Sequence, residues 1–265
     1  MPLMETPAAH VRSVMIGSAR PMAAKSGRSG IVKLPVDGPV DVRAPGARGA
    51  AGIHTGGLTG DTIVDTDHHG GDDQAVYAYA REDLDSWSAE LGLHLPDGSF
   101  GENITTAGFD VTGARVGERW RIGDELVLQV TDPRVPCNTF AARMVELGRD
   151  GRGWQKQFVA GGRPGAYLRV LRPGQLRSGD PVVVEHRPEH DVTVGLVFRA
   201  VLDRPELLPE LLAAAADLPS ATLADVRKRL GVARSDERRT RPVATTAACS
   251  RIDEPFRSRA VRLRR

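Results

Sequence analysis

The sequence predicts a mainly β fold with α insertions: a β-barrel-like domain over residues 1–188, a small three-helix subdomain over 189–233, and a basic, disordered tail over 234–265. Three observations predict it. Short apolar-alternating runs recur between glycine and proline turns through the first two thirds of the chain, the pattern of many short strands. One long stretch there has helical periodicity. After about Pro188 the pattern changes to capped helical segments, and past residue 233 periodicity stops.

The elements follow in order. His10–Ile16 alternates as a strand, and a loop rich in Ala, Ser, Gly and Lys runs from Gly17 to Ser29. Gly30–Val36 and Val40–Arg43 read as short strands around Asp37-Gly38-Pro39. Ala44–Gly57 is glycine-rich and irregular, Leu58–Asp67 reads as a short strand, and His68–Gln74 is a tight polar loop. Gln74–Gly92 reads as an amphipathic helix, because Tyr77, Ala80, Leu84, Trp87 and Leu91 recur every three or four residues and Gly92 is a natural stop. Phe100–Ile104, Trp120–Ile122 and Leu126–Val130 read as strands. Pro133 and Pro136 then build a rigid loop that presents Cys137, and Asn138 caps a helix to about Leu147. A short helix around Trp154–Val159 and strands at Gly165–Leu171 and Asp180–Glu185 complete the first domain. The last three helices are Val192–Val201, capped by Asp191; one opened by Arg204-Pro205-Glu206 and running to about Ala216; and Leu223–Leu230, capped by Ser220 and ended by Gly231.

Charge narrows the function classes. The chain carries a net +2, but residues 234–265 hold ten basic against four acidic side chains, so the body is mildly acidic. An acidic body is poorly suited to neutralising phosphates, and stable nucleic-acid binding is not expected. Met1–Arg20 lacks a continuous apolar core, and no apolar run is long enough to span a bilayer, so the chain reads as a cytoplasmic protein without a signal peptide or membrane contact. Two distant cysteines, Cys137 and Cys249, make no disulfide framework.

Cys137 follows a strand, sits at a helix start and has Arg134 three residues before it. Helix N-termini and guanidinium groups both favour a thiolate, which is a nucleophile and a soft ligand for transition metals. The plainer reading of a lone cysteine is a small buried apolar residue. In the polar loop, Gly70 and Gly71 allow backbone N–H groups to approach an anion at a helix start, which fits a phosphate or pterin better than a metal; a structural turn in which His69 makes one hydrogen bond is the alternative. Gly101-Glu102-Asn103 can hold either a loop or a ligand, and Lys33 either contacts a phosphate or is an exposed strand residue. No Rossmann, Walker A, nucleophile-elbow or paired-cysteine zinc motif is present.

In combination, Gly30-Ile31-Val32-Lys33, Gly57-Leu58-Thr59-Gly60-Asp61, His69-Gly70-Gly71-Asp72-Asp73-Gln74, Phe100-Gly101-Glu102-Asn103, Gly117–Gly123 and Pro133-Arg134-Val135-Pro136-Cys137 resemble, in order and spacing, the MOSC family, named for the C-terminal domain of molybdenum-cofactor sulfurases. The three helices after Pro188 resemble the appendage of its bacterial YiiM-like branch. The resemblance covers about Val11 to Val232; Asp72 departs from the proline common at its place. The resemblance implies a β-barrel-like fold and a bound molybdenum cofactor (molybdopterin carrying Mo). It implies Cys137 as metal ligand and catalytic residue, and Lys33, His69, Gly70, Gly71, Asn103 and Arg134 as cofactor-binding residues. It further implies an oxidoreductase that reduces N-hydroxylated small molecules, such as hydroxylaminopurines, to amines with electrons from a separate reductase. A cofactor or sulfur carrier without turnover, holding its cargo on Cys137, is the alternative, and homodimerisation is left open. Pyridoxal phosphate is associated with full-length sulfurases; the chain has no matching lysine motif, and that cofactor is not expected here.

Overall fold

A computed structural model describes residues 8–23, 25–49 and 56–232. The predicted tail, Cys249 and part of the glycine-rich stretch 44–57 lie outside the described residues. The strands are β1 His10–Gly17, β2 Arg20–Pro21, β3 Arg28–Ser29, β4 Lys33–Pro35, β5 Val40–Val42, β6 Val76–Ala80, β7 Ile104–Ala107, β8 Arg119–Ile122, β9 Leu126–Pro133, β10 Ala166–Arg172, β11 Gly174–Leu176 and β12 Val182–His186. The α-helices are α1 Arg81–Leu91, α2 Asn138–Glu146, α3 Trp154–Gly161, α4 Val194–Leu202 and α5 Ser220–Leu230, with 3-10 turns at Asp72–Gln74 and Pro205–Ala214.

Eight strands form one sheet in the order β12-β8-β9-β10-β6-β7-β1-β4. All its pairs are antiparallel except β6–β7, which the intervening helix α1 joins in parallel. The sheet curls back on itself in a barrel-like manner without a continuous ladder between its ends. The link is made by backbone bonds near β12: the Val11 N–H donates to the Asp180 carbonyl (2.8 Å), the Gly179 N–H to the Val11 carbonyl (2.8 Å) and the Val182 N–H to the Ala9 carbonyl (2.9 Å).

Two apolar clusters hold this sheet from opposite faces. Val11, Val14, Val76, Ala78, Ile104, Trp120, Leu128, Leu168 and their neighbours fill the inside of the curl. Tyr77, Tyr79, Trp87, Phe100, Phe140, Trp154 and Phe158 form an aromatic cluster outside it, under α1, α2 and α3. Edge-to-face rings dominate there, with Phe100 and Phe140 centroids 5.0 Å apart at 70°.

This double burial explains the main departure from the sequence reading. Val76–Ala80 is a strand, not the first part of a helix. Val76, Ala78 and Ala80 face the inner cluster while Tyr77 and Tyr79 face the aromatic one, so all five are buried and the period of two is hidden. The helix begins only at Arg81. Other departures are local. Leu58 makes a single bridge to Val42 and the chain then turns, so Leu58–Asp67 is not a strand. Phe100–Asn103 is a turn, and the strand starts at Ile104. β4 and β5 do not pair with each other; β4 joins β1 and β5 joins β11. Thr193, not Asp191, caps α4 by accepting from the Leu196 N–H (3.1 Å), while Asp191 is drawn to Arg115. Pro205–Ala214 is a 3-10 rather than an α-helix, since Pro209 inside it lacks an N–H. α4, this segment and α5 share a core of Val197, Ala200, Leu208, Leu211 and Val226.

Candidate active site

α2 starts one residue earlier in the logic of its capping than the sequence suggested. Cys137, extended at φ −132° and ψ 173°, is the N-cap, and Asn138 is the first helical residue. The rigid Pro133–Pro136 loop therefore places the sulfur itself at the positive end of the helix. Burial by itself raises the Cys137 thiol. A hydrogen bond from His69, the Arg134 charge and the Phe140 N–H outweigh burial and bring it down to about 6. Cys137 is thus mostly a thiolate at neutral pH.

Arg134 is buried at 6% exposure. Its Nη1 donates to the Phe100 carbonyl (2.6 Å), and its guanidinium lies 4.5 Å from the Phe140 ring centroid and 5.1 Å from that of Tyr77. The Phe100 carbonyl is fixed in turn by Glu102, whose carboxylate accepts from the N–H groups of Gly98 (2.6 Å) and Phe100 (3.0 Å). Burial pushes Glu102 up, and these bonds oppose it. Of the buried, partnerless side-chain atoms among the described residues, Arg134 Nε is the one whose residue lines the cleft.

The loop before β6 brings His69 to Cys137. Gly70 and Gly71 have φ of +82° and +78°, a region that disfavours side chains. The Gly70 N–H donates to Gln74 Oε1 (3.1 Å) and the Gly70 carbonyl accepts from Arg48 Nε (3.2 Å). Gly71 packs away from the cleft: a Cβ there would stand 2.7 Å from the Arg48 backbone nitrogen.

The opposite wall is a buried polar knot. Asp61, at 2% exposure, accepts from the Gly17 N–H (2.7 Å), from the Lys33 ammonium and from Asn103 Nδ2 (2.9 Å). Asn103 Oδ1 also accepts from the Tyr77 N–H (3.1 Å). Lys33 and Asn103 therefore have their polar atoms bonded within the protein.

These walls enclose an open cleft of about 800 Å³, lined among others by Arg28, His69, Arg134, Cys137 and Tyr167. Lys33, His69, Gly70, Asn103, Arg134 and Cys137 are all brought to it, and Gly71 is not. The β2–β3 hairpin forms its rim with Lys25, Ser26 and Arg28, and Arg20 of that hairpin pairs with Glu146 of α2. Among the described residues no three His, Cys, Asp or Glu side chains converge to hold a metal ion. No described helix is long and apolar enough to cross a membrane.

The family model for the MOSC domain matches residues 65–183, which take in the His69 loop, the Asn103 turn, Arg134 and Cys137. Residues 65–183 form a MOSC domain. The chain is 30% identical over 202 residues to a protein named reductase from Gibberella moniliformis, covering 74% of this chain and 32% of that one. It is 32% identical over 153 residues to YflK of Bacillus subtilis, covering 58% of this chain and 66% of that one. The chain thus spans about a third of the fungal relative and just under two thirds of the bacterial one. The crystal structure of YiiM from Geobacillus stearothermophilus shares the fold, with a TM-score of 0.65 and 24% identity over 84% of this chain and 99% of that one.

Within this cleft, Asp61, Tyr77, Tyr167, Lys25 and Arg28 carry no site assignment from the sequence. Asp61 had a signal, an acid closing the Gly-Leu-Thr-Gly-Asp run. Tyr167 had none, since it sits in a strand of ordinary composition. Burial raises the Tyr167 phenol, partly opposed by Arg134, so it keeps its proton at neutral pH.

Proposed function

We propose that this MOSC protein is a molybdenum-dependent oxidoreductase that reduces N-hydroxylated compounds, such as hydroxylaminopurines, to amines. The observation that carries this reading is the Cys137 thiolate at a helix N-terminus inside the cleft, beside a buried guanidinium whose Nε has no partner. A soft thiolate suits a heavy transition metal. No three ligating side chains converge among the described residues, so Cys137 would be the protein's principal ligand and the cofactor would bring others.

The donor set fits a phosphorylated pterin. Arg134, Arg28 and Lys25 offer positive charge, and the half-buried Tyr167 offers ring surface. When bound, molybdenum cofactor supplies the two-electron redox chemistry. The chain's residues do the rest: Cys137 ligates, His69 orients the sulfur, Arg134 holds it ionised, and Asp61 with Lys33 and Asn103 keeps the wall in place. The electrons come from a separate reductase; the relative named reductase supports this redox setting.

The test is expression in a host that makes the cofactor, followed by an assay of the purified protein on a hydroxylaminopurine with a supplied reductase. Reduction to the aminopurine with bound molybdenum is the expected result. Bound molybdenum without reduction would replace this reading by that of a carrier.

A further inference from the structure

We propose that Tyr167 is the proton donor to the N–OH oxygen in this reduction, an assignment that rests on the reading above. The chain has three tyrosines, and all three stand on the neighbouring strands β6 and β10. Two have their hydroxyls committed: Tyr77 donates to the Pro164 carbonyl (2.7 Å) and Tyr79 to the Arg163 carbonyl (2.6 Å). Tyr167 is the cross-strand partner of Tyr77, its ring 5.1 Å away by centroid, and it lines the cleft with Cys137. Its hydroxyl makes no hydrogen bond to another described residue.

The other proton-bearing groups of the cleft are spent or ill-suited. His69 serves Cys137, Lys33 is held by Asp61, and Asp65 is bonded by His68. Lys25 stands exposed on the rim. Thr139 lines the cleft, but an alcohol is a far weaker acid than a phenol. Tyr167 is the acid left facing the space where substrate would enter.

The step balances as R–NH–OH with two electrons and two protons giving R–NH2 and water. The N–O bond breaks as the reductase supplies both electrons. Tyr167 protonates the departing oxygen, which leaves as water, and solvent supplies the second proton to nitrogen. The phenolate then regains its proton from water through the open cleft. Transfer to a departing hydroxide is downhill from a phenol, since bulk water is the weaker acid.

The experiment compares wild type with Tyr167→Phe, which keeps the ring and its packing and removes only the hydroxyl. Molybdenum content is expected to be unchanged and KM to stay close to wild type, while kcat falls by about a hundredfold or more, the usual scale for loss of a general acid. In loaded protein labelled with 3-fluorotyrosine, an added N-hydroxylated purine is expected to shift one fluorine resonance, the one that Tyr167→Phe lacks. A kcat close to wild type overturns the assignment, as does a fall in kcat that tracks lost molybdenum, or a shift confined to the Tyr77 or Tyr79 signals. Wild type that turns over beside an equally active variant sinks only the role of Tyr167. Loaded wild type that reduces no N-hydroxylated compound sinks the parent reading and this assignment with it.

Discussion

Asp61→Ala is expected to lower the unfolding free energy by about 3–5 kcal/mol, the cost of breaking a buried ion pair from one side. The substitution leaves the Lys33 ammonium, 8% exposed, without its carboxylate. It also orphans the Gly17 N–H and leaves Asn103 Nδ2 only its long bond to the Met15 carbonyl (3.4 Å), so three segments lose their common acceptor. Urea unfolding followed by circular dichroism measures the loss as a lower midpoint. Pairing Asp61→Leu with Lys33→Met removes both charges and is expected to recover the part of the loss due to the unpaired ammonium but not the part due to the Gly17 N–H, which still lacks its acceptor. A single-variant loss below about 1 kcal/mol, the range of an exposed pair, would contradict this account of the wall.

Arg134→Met is expected to shift the reactivity of Cys137. Wild-type alkylation by iodoacetamide, read on the Cys137 peptide by mass, should rise with pH through about 6 and level off above it. Below that pH the sulfur carries its proton and reacts slowly. Methionine keeps much of the bulk of Arg134 but removes its charge, so the midpoint should climb toward the ordinary thiol value of about 8.5. Arg134→Lys, which keeps a positive charge but loses the planar fork, should fall between the two. An unchanged midpoint in Arg134→Met would show that His69 and the helix end suffice.

What the sequence disclosed, and what it hid, divides along physical lines. Cys137, Arg134 and His69 were legible as cleft residues because turns, prolines and glycines mark the loops that present them. The alternating strands β1, β8, β9 and β10 were legible where one face is polar or partly so, and α5 was marked by its closing glycine. β6 was not, because burial on both faces erases alternation and leaves Tyr77 and Ala80 at a chance helical spacing. Lys33 and Asn103 read as ligand contacts because sequence shows a polar side chain but not what it is bonded to; Asp61, some thirty to forty residues away, takes both. Gly71 belonged to the right loop but faces Arg48 instead of the cleft, a matter of one residue's direction. Tyr167 differs from Tyr77 and Tyr79 in that its hydroxyl bonds no carbonyl among the described residues, which depends on the Arg163–Pro164 turn and leaves no trace in composition.

Ligation of molybdenum by Cys137 is the proposal on which the others rest. Its most direct test is the molybdenum content per chain of wild type and Cys137→Ser, both expressed in a host that makes the cofactor and matched for folding by circular dichroism. Near-stoichiometric metal is expected in wild type and almost none in the variant, because a serine hydroxyl is neither soft nor ionised at neutral pH. Full molybdenum occupancy in Cys137→Ser would contradict it.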